Sequence, residues 1–161
     1  MPNHCTNHLH INAEPDTLEE IREALRDRQR EEEDLTFRGI CDRPDALQNI
    51  HVGSRTIDGE SYRRWRETDE GVVPLTDAET KKLRREHGGA DLIEWSRQHW
   101  GTKWDGYWST KTEDTRQRLS YTFTTAWSPP DQFINKLRAE FPEARITLEY
   151  EEPNMGLEGT V

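Results

Sequence analysis

His8 and His10 stand two residues apart in a stretch where polar and apolar side chains alternate, from Cys5 to Ala13. An HxH pair on a strand sends both imidazoles to one face, where they can hold zinc or another imidazole-binding divalent metal. Two ligands do not complete a site, and the sequence marks only His4 and His99 as candidates for a third. The plain alternative is a polar sheet face. A second concentration of chemistry lies at Trp95–Trp108, which holds four of the six tryptophans, with Lys103 and Asp105 flanking Trp104. In a chain that is 31% hydrophobic, indoles in such number either anchor a local core or line a groove. On the groove reading, Trp100, Trp104 and Tyr107 form walls, and Lys103 and Asp105 orient a polar ligand or pair with each other. On the core reading, Trp104→Ala costs a few kcal/mol of stability, whereas Lys103→Ala costs little on either. Pro2 becomes a secondary amine if Met1 is removed, a candidate base or nucleophile with no partner acid in view.

These residues need elements to place them. In the first strand Cys5, Asn7, Leu9, Ile11 and Ala13 share one face, and His4, Thr6, His8, His10 and Asn12 the other. Pro15-Asp16 opens a helix with Leu18, Ile21 and Leu25 as its apolar stripe. Leu35–Ile40 reads as a short second strand, with Leu35 and Phe37 on one face. The strongest alternation, Leu119–Trp127, is a third strand. Ser128 then caps a helix with Pro129 at its first position, burying Phe133, Ile134, Leu137 and Phe141. Ile146, Leu148 and Tyr150 mark a fourth strand, and the tail after it has room for an edge strand.

Residues 41–118 do not follow this rhythm and are too long for a bare loop. Within them, Thr76 and Glu79 form a capping box for a helix that ends at Gly88-Gly89, and 91–99 predicts another helix. His51–Gly71 is polar and glycine-dotted, the stretch expected to be most mobile. The whole predicts an α+β protein, one domain over 1–161. Its expected fold is the ferredoxin-like split β-α-β arrangement, an antiparallel four-stranded sheet with two helices on one face. A long helical, Trp-rich insertion (41–118) lies between strands two and three. In that topology Asn3 and Asn7 lie beside Ala126, Trp127 and Ser128.

With 32 acidic against 22 basic residues the chain carries a formal charge of −10 and repels bare phosphate backbones. The basic runs Arg63–Arg66 and Lys81–Arg85 are each followed by acids and read as solvated faces. Tyr121 and Phe123 face the core, so the open sheet face lacks the stacking rings of an RNA platform. Nucleic acid is therefore a disfavoured partner. Cys5 and Cys41 form no CxxC, which argues against a zinc framework or a disulfide scaffold. With no membrane-length apolar run and no signal-peptide pattern, the expected location is the cytoplasm, with no membrane partner.

Three blocks carry a resemblance: Met1-Pro2-Asn3 with Asn7 and Leu9, Trp100-Gly101-Thr102-Lys103-Trp104-Asp105, and Thr125-Ala126-Trp127-Ser128-Pro129-Pro130. Together they resemble the YubB-like ferredoxin-like family of plasmids, phages and prophages, over most of the chain and least between His51 and Thr80. The resemblance implies the fold and a mobile-element origin, and it assigns no activity. His4, His8 and His10 lie outside the shared pattern. The expectation is a non-enzymatic accessory binding protein holding a host protein or a small polar ligand. Its candidate ligand-binding residues are Asn3, Asn7, Trp100, Lys103, Trp104, Asp105, Tyr107 and Trp127. The alternatives are a metal- or acid-base-dependent enzyme built on His8 and His10, then a nucleic-acid-binding protein.

Overall fold

A computed structural model describes residues 3–161. Met1 and Pro2, and with them the amine reading of Pro2, lie outside the described residues. The chain divides into two compact units, one running to Asp42 and resuming at His99–Val161, the other Arg43–Gln98.

The first unit is built from β1 (His4–Asn12), α1 (Pro15–Leu25), β5 (Tyr107–Asp114), β6 (Arg118–Ala126), α4 (Asp131–Glu140), β7 (Arg145–Glu152) and β8 (Leu157–Thr160). Its sheet is antiparallel throughout, in the order β5-β6-β1-β7-β8. Alternation along β1 buries Cys5, Asn7, Leu9 and Ile11 and leaves His4, His8, His10 and Asn12 exposed. The buried face meets Leu18, Ile21 and Leu25 of α1 and Phe133, Ile134 and Leu137 of α4, all core residues. Burying a set of large apolar side chains at about 1.5–3 kcal/mol each is the main force that holds the helices there.

The expected second strand, Leu35–Ile40, is not a strand. Leu35 and Phe37 are buried as their alternation requires, but their amides bond to side chains: Leu35 N to Ser109 Oγ (3.1 Å) and Phe37 N to Asp105 Oδ1 (2.9 Å). Alternating burial shows which way side chains point; it does not supply a ladder partner. The position beside β6 belongs to β5, inside the stretch assigned to the insertion. Two register shifts, between Tyr107 and Thr110 and between Lys111 and Glu113, break its period-two pattern and hide it from the sequence. The excursion therefore leaves after α1, before the second strand of the β-α-β-β-α-β run, rather than between strands two and three. With β8 the sheet has five strands, not four. The second helix also begins two residues late: Pro130 is its N-cap, and Ser128 Oγ donates to Gly101 O (2.8 Å) instead of capping.

The second unit holds β2 (Ile50–Ile57), β3 (Glu60–Thr68), β4 (Gly71–Pro74), α2 (Asp77–His87) and most of α3 (Leu92–His99). The stretch expected to be mobile is a hairpin. Asp58 (φ 50°) and Gly59 (φ 85°) make its two-residue turn, in the backbone region that suits the twist of paired strands. The Thr76–Glu79 capping box is present, and Gly88 ends α2 in the left-handed conformation (φ 79°). Both basic runs send an arginine into one acidic cluster. Arg64 pairs with Asp91 (2.7 Å) and Glu94 (3.0 Å), and Arg84 with Glu94 (2.6 Å).

Candidate functional site

The tryptophan-rich stretch splits into framework and surface. Trp100 is fully buried, donates Nε1–H to Cys41 O (3.0 Å) and stands edge-on to Phe37 at 5.6 Å. Phe37 in turn stacks on Phe133 at 4.2 Å, so Trp100 belongs to the aromatic core under the sheet. It also closes the neck where the chain leaves and re-enters the first unit. Asp105 is framework too. Its Oδ1 accepts from Phe37 N (2.9 Å) and Gly106 N (2.8 Å), and its Oδ2 from Thr36 Oγ1 (2.7 Å), with Arg30 at 3.3 Å. Asp105 thus ties the 35–37 segment to the start of β5 and has no oxygen left for a ligand. Asn7 is buried and donates to Cys5 O and Thr125 Oγ1. Lys103 does not pair with Asp105; its Nζ lies 4.7 Å from the Trp104 ring centre.

The remaining candidates gather at one end of the sheet because strand register puts them there. His4 opposes Ala126, Tyr107 opposes Thr124, Trp127 N donates to Asn3 O, and Thr102 Oγ1 donates to Ala126 O. At this end Trp104 is 36% exposed, Trp108 67% and Trp127 43%. Tyr107 OH and His4 Nδ1 share a hydrogen bond of 2.7 Å, and the His4 ring lies 5.0 Å from that of Trp108. Trp108 and Trp127 both have positive φ, 51° and 73°, a conformation that costs a non-glycine residue about 1 kcal/mol or more. At Trp108 the carboxylate of Glu33 offsets that cost, accepting from Trp108 N (2.9 Å) and Ser109 N (2.7 Å). The backbone is thus held so that two indoles project outward rather than fold inward. Trp108 and Glu33 are not among the residues the sequence singles out, and it marks His4 only for a metal; for Trp108 the signal is only its place in the tryptophan stretch. Spacing does not show which of several indoles is exposed.

The histidine pair lies farther along the open face. His8 Nδ1 is hydrogen-bonded to Thr122 Oγ1 and His10 Nδ1 to Ser120 Oγ, each at 3.1 Å. Neither His4 nor His99 joins them: His4 is engaged with Tyr107, and His99 follows the excursion.

Residues 103–161 match the family model described as the ferredoxin-like domain in Api92-like protein. The chain is thus an α+β protein with a ferredoxin-like domain. Among solved structures it is similar to the protein Api92 from Yersinia pseudotuberculosis. That match covers 99% of this chain and 93% of that one, with a TM-score of 0.57 and 11% sequence identity. At that identity the likeness concerns the fold alone. No curated protein matches the chain. Among the described residues no helix is long and apolar enough to cross a membrane.

Proposed function

We propose that this chain is a non-enzymatic, cytoplasmic binding protein of mobile-element, YubB-like type, and that it docks on a host protein through the aromatic end of its ferredoxin-like sheet. The observation that carries this reading is the outward display of Trp104, Trp108 and Trp127, two of them in strained left-handed backbone. Exposed tryptophans are costly in water and are enriched among the residues that dominate protein–protein affinity. Their openness favours a broad partner surface over a small polar ligand, which needs enclosing walls. The charge of −10 favours a basic partner and speeds its approach at low salt.

The test is native mass spectrometry of the protein isolated from its own host, before and after denaturation. A protein partner at one per chain is expected. Trp108→Ala with Trp127→Ala should weaken that complex at least about tenfold while barely moving the melting temperature, since both indoles are largely exposed. A partner retained by the double variant refutes this surface. A released small molecule in place of a protein refutes the docking reading.

A further inference from the structure

The structure supplies a third ligand for the histidine pair that its spacing did not. Glu149 on β7 is the register partner of His8, about 5 Å away between strands, and its Oε2 lies 3.9 Å from His10 Nε2. His8, His10 and Glu149 therefore share one open face, with His8 and His10 roughly 7 Å apart along β1. We propose that these three residues bind a first-row divalent transition metal such as Zn2+ or Ni2+, with the remaining positions left to water.

Three further observations support the site. Both imidazoles have Nδ1 engaged by a hydroxyl, of Thr122 and of Ser120, which leaves Nε2 as the ring nitrogen turned away from β6 toward a metal. Hydrogen bonding of the second ring nitrogen is the usual companion of metal-ligating histidine. A shallow cavity of about 470 Å³ opens beside His8, lined also by Glu149, Glu151, Glu158 and Thr160. In it Glu151 faces Glu158 directly across β7 and β8, a like-charge pair that a nearby cation stabilises. The two-nitrogen, one-carboxylate donor set selects zinc and its neighbours over magnesium or calcium. With the side chains as they stand, no three His, Cys, Asp or Glu groups among the described residues surround a common point. Closing the site requires the exposed side chains of His8, His10 and Glu149 to turn toward one another, rotamer changes that such side chains make in picoseconds to nanoseconds.

The site is distinct from the aromatic end, and its test is independent of any protein partner. The full chain, stripped of metal, is titrated calorimetrically with ZnCl2 and with NiCl2 at neutral pH. One ion per chain is expected. Saturable binding should disappear in His8→Ala and in His10→Ala, both exposed positions where the fold tolerates alanine. Glu149→Gln, nearly isosteric, should weaken it at least tenfold. Ser120→Ala should weaken it by about tenfold to a hundredfold, the range for loss of a ligand-orienting partner. Absence of saturable binding overturns the proposal, as does binding that survives His8→Ala or is unchanged in Glu149→Gln. Melting curves confirm that each variant is folded.

Discussion

Asp105→Ala is expected to lower the stability of the first unit by about 2–6 kcal/mol, the cost of leaving two buried backbone amides without their acceptor. The carboxylate gathers two backbone amides, a threonine hydroxyl and the Arg30 guanidinium. Alanine leaves the Phe37 and Gly106 amides without their acceptor, at about 1–3 kcal/mol for each one that stays buried. Asp105→Asn is the gentler change, because the amide oxygen can still receive both backbone N–H groups while its NH2 faces Thr36. The two variants also separate charge from geometry. Burial outweighs the surrounding donors and holds the Asp105 carboxyl above its ordinary pKa. Folding therefore takes up a proton at this group. Its stabilising contribution is fully present below the unfolded aspartate value of about 3.9 and is lost as pH rises through the raised one. In urea titrations the stability gap between the parent and Asp105→Asn should widen as pH falls through the weakly acidic range. A gap that narrows on acidification shows that the donors dominate instead.

Trp100→Ala should cost about 3–5 kcal/mol, as for other fully buried aromatic residues. It empties the space against Phe37 and leaves Cys41 O without its indole donor. Trp104→Ala, for which the core reading of the sequence expects a few kcal/mol, should cost no more than about 1.5 kcal/mol. Its ring is partly exposed, with Lys103 lying over it. Urea midpoints of the two variants decide the matter. Equal losses would mean that Trp104 is packed as firmly as Trp100.

β1 and β6 were legible because the ladder between them is unbroken and large apolar side chains alternate along each with small or polar ones, so period two survives in the sequence. The capping box and the glycine end of α2 were legible because their chemistry is local. β5 was not, because its bulges shift the register twice, and Leu35–Phe37 looked like a strand because its side chains alternate while its amides bond to Ser109 and Asp105. The candidate site fared likewise. The sequence located the tryptophans and the histidines, but the partition into core Trp100 and exposed Trp108, and the partnership of Glu149 with His8, depend on contacts between distant segments. With 32 acidic residues, no spacing rule singles out Glu149.

The Trp100–Cys41 bond gives the first unit a fixed pair of exit and return points for the chain. With that gate closed from within the sheet domain, the closure entropy of whatever lies between depends only weakly on its length, by about 0.6 kcal/mol per doubling. Replacing residues 43–98 with a segment of another length should therefore change the entropy of closing the chain at this gate only slightly.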